Sequence, residues 1–401
     1  MSRLRLLSGP DLAAGSEALN AHVQRLGPLP AVGPGLFDSV ERSGLTGRGG
    51  AAFPVARKWR AVSAAGGGGA LIVNGAEGEP QSFKDRTLMS LRPHLVLDGA
   101  LLAARAVRAS SVVLYIGEEH RTAQVTMARA VAERPEHELR HGRVVLAPAR
   151  YVAGESSAAV NLLNADIASP TTRPPSPHEG GGGRLPTLVQ NVETLAQVAL
   201  IARYGADWFR SAGRRGAAGT ILMTVAGAVT SPGVVEVEAG ISVREVLELA
   251  GGATQQVTAV LLGGYFGSWV DAASAWDLPL DASMLRERGL TLGCGVVGFL
   301  PVTSCGVCET ARIMEYLASE SSAQCGPCFF GLRALATTSG RIAQGIADPG
   351  DLARLERWSR EVRGRGACHH PDGAAGLLQS ALTAFAQEFL RHPAHLGSQV
   401  A

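Results

Sequence analysis

Apolar positions along the chain switch repeatedly between two periods. From residue 70 to about residue 149, ALIVNGAEGEP reads as a strand running into a loop, and LVLDGALLAARAVRAS as a helix with apolar residues at helical spacing. SVVLYIG then predicts a strand, RTAQVTMARAVAERP a helix and GRVVLAPA a strand. Strands alternating with helices of this length predict βαβ units and a parallel sheet, whose ligands sit at the carboxyl ends of the strands. Residues 170–186 break the pattern with four Pro between 170 and 177 and a Gly run at 180–183, which predicts a long loop, functional or disordered in character.

A second pattern starts near Gly219. TILMTVAGAVTSPGVVEVEAG predicts two strands joined by a turn at residues 231–233. SVREVLELAGG follows as a capped helix ending at Gly251, and AVLLGGY as a strand. That ββαβ order suggests a small β-grasp-like domain. After Pro301 four amphipathic stretches with short links (TARIMEYLASES, FFGLRALATTSGRIAQGI, DLARLERWSREVRG and AAGLLQSALTAFAQEFLRH) predict a helical bundle.

Composition narrows the function classes. Lys and Arg number 37 against 35 Asp and Glu, a net charge of +2 that gives no electrostatic case for nucleic acid. Six Cys in 401 residues are too sparse for a disulfide-built secreted scaffold. The first residues lack the apolar core of a signal peptide. The longest apolar stretch, residues 289–302, is shorter than the ~20 residues of a membrane span. The expectation is a cytoplasmic protein without direct membrane insertion, reaching a membrane only through partners. Only two of the basic residues are Lys, Lys58 and Lys84.

Both lysines fall in stretches that suit ligand binding. In SGLTGRGGAAFPVARKW, Gly47, Gly49 and Gly50 permit close backbone approach, and Arg48 and Lys58 can meet a phosphate. The spacing is not the dinucleotide fingerprint, and a tight Gly turn explains the glycines equally well. In VNGAEGEPQSFKDR, Asn74, Glu77 and Glu79 follow a predicted strand, where they suit a sugar hydroxyl, a carboxamide or a flavin edge, or merely a solvated turn. For Lys84 the expected partner is the adjacent Asp85 or a neighbouring loop. Gly154 and Glu155 open a helix whose N-terminus suits an anion, while Asn191 and Thr194 suit a phosphate or ribityl chain or an ordinary helix cap.

The cysteines admit more than one reading. Cys305-Gly-Val-Cys308 and Cys325-Gly-Pro-Cys328 are 16 residues apart, a spacing that matches a four-Cys zinc site. Cys368 has no role in that reading, and a Cys-rich loop with a remote further Cys is equally an iron–sulfur arrangement. Cys294 reads as a buried small hydrophobe.

Taken together, and in this order from about Ser43 to the C-terminus, these five motifs resemble the family of flavin-binding, NADH-oxidising (51-kDa or F) subunits of respiratory complex I. The related diaphorase subunits of NAD-linked hydrogenases and formate dehydrogenases carry the same module. The resemblance implies an α/β Rossmann-like FMN domain over residues 1–215, a β-grasp-like domain over 216–300 and a four-helix bundle with a [4Fe-4S] cluster over 301–401. It implies that Gly47, Arg48, Gly49, Gly50 and Lys58 bind FMN and the incoming dinucleotide. It further implies that Asn74, Glu77 and Glu79 line flavin and nicotinamide, that Gly154 and Glu155 form the family's Gly-Glu motif, and that Asn191 and Thr194 hold the FMN phosphate region. Glu79 and Glu155 are the candidate catalytic residues. NADH is the implied substrate, and the implied partner is a ferredoxin or a [2Fe-2S] thioredoxin-like subunit.

Departures from the family pattern keep alternatives open. Ala76 replaces an Asp, and Ser156 replaces the second Glu of a Glu-Glu pair. Of three aromatic positions that sandwich adenine only Phe53 survives, with Ala61 and Ser176 at the others. Of the cluster ligands Cys325, Cys328 and Cys368 remain, and Ser322 stands at the first. The fourth ligand is then Ser322 oxygen, Cys305 or Cys308, or is missing from a three-Cys cluster, or there is no cluster. The alternative functions are an electron-transfer flavoprotein that no longer uses NAD(H) and a non-catalytic, zinc-stapled subunit.

Overall fold

The computed structural model describes residues 4–33, 35–138, 142–172 and 185–395. Contacts divide it into two compact units, one of Met1–Thr224 with Val234–Ile241 and one of Val225–Gly233 with Ser242–Ala401.

The first unit is built on a parallel sheet of β1 (Ala70–Gly75), β2 (Ser111–Gly117), β3 (Gly142–Ala147) and β4 (Leu188–Asn191), in the order β3-β2-β1-β4. Helices α1 (Leu19–Leu26), α2 (Gly35–Ser43) and α3 (Val55–Ala64) precede β1. Then come α4 (Lys84–Leu91), α5 (Pro93–Val107), α6 (Arg121–Ala132), α7 (Ser156–Ala165) and α8 (Val192–Arg210). Strands β1 and β2 are buried on both faces, so they read as continuous apolar runs rather than alternations. Helix α5 is apolar nearly all round and packs with α8 in the core.

Strand order decides where this sheet opens. From β1 the chain moves to β2 and β3 on one side, then returns to place β4 on the other side of β1. The switch point therefore lies at the carboxyl ends of β1 and β4, where open α/β sheets take their ligands. Asn74 of β1 pairs in register with Asn191 of β4 there.

Strands β5 (Thr220–Gly227) and β6 (Gly233–Glu238) form the predicted strand pair, and the division between units runs through them. In the second unit α9 (Val243–Leu249) carries a capping box of Ser242 and Glu245. Strand β7 (Val257–Leu262) pairs antiparallel with both β8 (Ser268–Asp271) and β9 (Val296–Pro301), with the short helices α10 (Ala272–Ala275) and α11 (Ala282–Arg286) between the last two. The helical part comprises α12 (Gly306–Ser319), a π-helical turn at Pro327–Leu332, α13 (Arg333–Ala343), α14 (Asp351–Val362), α15 (His370–Ala384) and α16 (Ala386–His395). The last predicted helix is thus two. The break falls at Phe385, whose buried ring packs edge-on against Trp269 and fills the space beside Gly306, which has no side chain to obstruct it.

Candidate functional site

Four of the five sequence motifs meet at the switch point of the first unit. Residues 47–52 form a loop closed by a Gly47 N–H bond to the Phe53 carbonyl at 2.9 Å. Gly50 takes φ +108°, a conformation that favours glycine, and a Cβ on Gly49 would stand 3.4 Å from the Asn191 side chain. The Arg48 N–H donates to Thr194 Oγ1 at 2.9 Å. Asn191 caps α8, its Oδ1 accepting from the Glu193 and Thr194 N–H groups. The first and fourth motifs are therefore one assembly at the end of β4. Lys58, on α3, donates to the Val189 carbonyl of that strand at 3.2 Å.

The second and third motifs join at the end of β1. Asn74 Nδ2 donates to the Gly154 carbonyl at 2.9 Å, while its Oδ1 accepts from Ala76 N–H. A Cβ on Gly78 would meet the Tyr151 carbonyl at 2.8 Å, so this approach admits only glycine. Glu79 is buried and accepts from the Tyr151 hydroxyl at 3.1 Å. Glu155 caps α7, accepting from Ser157 and Ala158 N–H. The family's absent Asp leaves Ala76 packed among Ile72, Val113, Tyr115 and Val189.

Glu77 points elsewhere. Its carboxylate accepts from Ser82 Oγ, the Asp85 and Arg86 N–H groups and Arg86 Nε at 2.7 to 3.0 Å. The residue sits at φ +42°, and these four donors at the start of α4 offset the strain, which costs about 1–2 kcal/mol for a non-glycine residue. Glu77 here organises the loop that carries Glu79.

Beneath the loop lies a buried charge cluster that the motifs only half revealed. Lys84 Nζ stands 2.6 Å from Asp85 Oδ1 and 2.9 Å from Glu193 Oε2, all three side chains being buried. Asp85 Oδ2 also accepts from Asn191 Nδ2 at 2.6 Å. Burial alone would lower the Lys84 pKa, but the Asp85, Glu193 and Glu77 carboxylates raise it well above its usual value. Burial pushes Asp85 upward, the Lys84 charge opposes it, and the Glu77 and Glu193 carboxylates reinforce the rise. Lys84 is thus paired with Asp85 as expected, and Glu193 is a partner that sequence reasoning missed. The signal for Glu193 was its place in the first turn of a helix, where a carboxylate complements the helix dipole.

Of the adenine-stacking positions, Phe53 is half-buried with the Arg57 guanidinium 5.7 Å from its ring centre. Ala61 lies on α3, and Ser176 falls outside the described residues, as do most of residues 170–186.

The cysteines separate into two sets. Cys328 lies buried in the π-helical turn, a distortion often found at functional sites. Burial, then the neighbouring thiols of Cys325 and Cys368, pushes its thiol up to about 12. Ligation by a metal releases such a proton, and three gathered thiols fit an iron–sulfur cluster. Ser322 precedes this turn, its hydroxyl 3.4 Å from Gln324 Oε1. Cys305 and Cys308 sit at the other end of α12, a 14-residue helix about 21 Å long. Among the described residues no single-ion group joins them to Cys325 and Cys328. That corrects one expectation: among the described residues the four thiols do not make one zinc site. The intervening residues form a rigid helix rather than the turns that bring zinc ligands together.

Comparison with known proteins agrees with this arrangement. Residues 40–200 match the family described as Nuo51 FMN-binding domain. Residues 308–392 match the NADH-ubiquinone oxidoreductase-F iron-sulfur binding region, and residues 222–264 an SLBB domain. The NADH-quinone oxidoreductase F 2 subunit of Rhizobium meliloti (strain 1021) is 35% identical over 96% of this chain and 94% of its own length. The NADH-quinone oxidoreductase F subunit of Escherichia coli (strain K12) is 32% identical over 88% of this chain and 83% of its own. Among solved structures, an NAD+-reducing [NiFe]-hydrogenase superposes with a TM-score of 0.81 at 30% identity, covering 94% of this chain and 67% of that one. With its sheet, its glycine loop and its three gathered cysteines in the family's order, the chain belongs to the family of NADH-quinone oxidoreductase F subunits.

Proposed function

We propose that this chain carries out NADH dehydrogenase-type electron transfer, with FMN at the β1/β4 switch point and a [4Fe-4S] cluster on Cys325, Cys328 and Cys368. The observation that carries the reading is the Asn74–Asn191 register pair, which gathers four motifs at one crevice. FMN held there would supply hydride acceptance from NADH and one-electron release toward a cluster. The chain's own residues set the geometry. Gly47, Arg48, Gly49 and Gly50 form a backbone wall against Asn191, and Asn191 and Thr194 orient the start of α8 toward the phosphate region. Lys58 supplies a compact positive charge near β4 for a phosphate. Asn74, Gly154 and the carboxylates of Glu79 and Glu155 border the flavin and nicotinamide. Glu77 acts one step back, by holding the loop.

The strands over 216–300 are read as the β-grasp-like domain and residues 301–401 as the helical iron–sulfur domain, with residues 1–215 as the FMN domain. Ser322 is the candidate fourth ligand of the cluster. The electron acceptor is a ferredoxin or a [2Fe-2S] thioredoxin-like subunit, and the chain works in the cytoplasm, meeting a membrane through partner subunits. No helix of the described residues is long and apolar enough to cross a membrane.

Anaerobic addition of NADH to the flavin-loaded protein tests the reading. Bleaching of the flavin absorbance is expected. Flavin that stays oxidised at high NADH refutes NADH use and favours the flavoprotein that takes electrons elsewhere, a reading supported by Ala61 offering no stacking face to adenine.

A further inference from the structure

Helix α12 opens on two thiols that the iron–sulfur set leaves unused. Cys305 caps the helix, its Sγ accepting from the Cys308 N–H at 3.2 Å, and Cys308 lies in the first turn. Facing them is His392 of α16, whose Nε2 stands 3.1 Å from Cys305 Sγ and 3.5 Å from Cys308 Sγ. The three ligand atoms lie within 4.8 Å of one another, and among the described residues this is the only such group of three or more Cys, His, Asp or Glu.

The arrangement is that of a mononuclear site. Tetrahedral zinc, with Zn–S of about 2.3 Å and Zn–N of about 2.0–2.1 Å, sets sulfur and nitrogen about 3.6 Å apart. The observed separations reach that value with shifts of a few tenths of an ångström. His392 is oriented for the task, because its Nδ1 donates to the Ile342 carbonyl at 3.1 Å and leaves the Nε2 lone pair toward the thiols. The Cys308 N–H donates to Cys305 Sγ and holds that sulfur at the start of α12, facing His392. Glu388, one turn before His392 on α16, accepts the Gly306 N–H at 3.1 Å and fixes the two helices in register. Cys308 is exposed, so an ion can enter and water can reach it.

We propose that Cys305, Cys308 and His392 bind one zinc ion, separate from the iron–sulfur cluster, with water in the fourth position. Binding releases two thiol protons to solvent and leaves two thiolates and a neutral imidazole on the metal. The ion pins α16 to the start of α12 and the end of α13. Two thiolates with an imidazole suit zinc rather than magnesium or calcium, which take oxygen ligands.

The test uses the full chain, purified anaerobically under reductant and carrying its cluster. Elemental analysis is expected to find one zinc per chain beside the iron. Cobalt(II) added to zinc-stripped protein is expected to give thiolate-to-cobalt charge-transfer bands and the intense visible absorption of a tetrahedral site. C308S and H392N should each lose that signal with iron unchanged, and C325S should lose iron with zinc kept. Absence of both zinc and the cobalt bands in the unmutated protein overturns the proposal, as does undiminished zinc in C308S or loss of iron together with zinc. The cobalt titration of the unmutated chain needs no variant, so it decides the matter even where a substitution misfolds.

Discussion

Lys84→Met is the substitution that most directly probes the floor of the flavin site. It keeps the side-chain length and removes the charge shared by Asp85 and Glu193, at 2.6 and 2.9 Å. Removing one member of a buried ion pair costs about 3–5 kcal/mol, chiefly because the partner charge is left unpaired. Here the carboxylates keep some donors: Asp85 retains Asn191 Nδ2, and Glu193 Oε1 retains the Leu222 N–H at 3.0 Å. The lower end of that range, about 3 kcal/mol, is therefore expected.

The same reasoning fixes how the loss depends on pH. Without the ammonium, burial and the Glu77 and Glu193 carboxylates hold the folded-state pKa of Asp85 above its unfolded value, so the variant loses stability as pH rises past about 4. Urea unfolding at pH 5 and pH 7.5 should show a larger deficit at the higher pH. Lys84→Arg is the control: it keeps the charge but forces a larger planar group into a slot that is 2% exposed, with a cost of about 1–3 kcal/mol and no such pH dependence. A Lys84→Met deficit below about 1 kcal/mol, or one equal at both pH values, refutes the argument that the charge matters.

Three further outcomes follow from the same contacts. Asn191→Ala removes the α8 cap and the tie to Asp85; it should cost about 1 kcal/mol of stability by chemical denaturation and weaken FMN binding by fluorescence titration. His94 is held down to about 4 by burial and by Arg134, whose Nε donates to His94 Nδ1 at 3.3 Å. Its unfolded value is about 6.5, so stability should be full above pH 6.5 and fall by about 3 kcal/mol toward pH 4, while His94→Gln should flatten that slope in pH-dependent unfolding. Cys328→Ser should lose most of the cluster iron by elemental analysis, and full iron retention would remove Cys328 from the ligand set.

What the sequence made legible divides along physical lines. Strands β1 and β2 declared themselves because both faces are largely buried, which leaves the runs Leu71–Val73 and Val112–Ile116 without a charged residue. Strand β4 did not, because four residues following a Pro- and Gly-rich loop give no period to count. Yet β4 creates the switch point, so the motifs could be recognised while the reason they converge could not. A similar limit applied to the acidic stretch. Residue type alone made Glu77 and Glu79 equivalent, and only the helix start that follows shows Glu77 satisfied by four donors while Glu79 meets Tyr151.

Cysteine spacing exposes the same limit most sharply. Two Cys-x-x-Cys pairs 16 residues apart suggest one ion if the spacer is loop, and disfavour it where residues 309–319 of the spacer are helix about 16 Å long. The amphipathic pattern of that spacer was already visible, and it is what separates the pairs. The real complement of Cys305 and Cys308 is a histidine more than 80 residues later, brought back because the chain turns at Phe385 instead of continuing one helix. The Phe385 ring at that break packs against Gly306, next to Cys305. Pairwise spacing carries no record of such a turn.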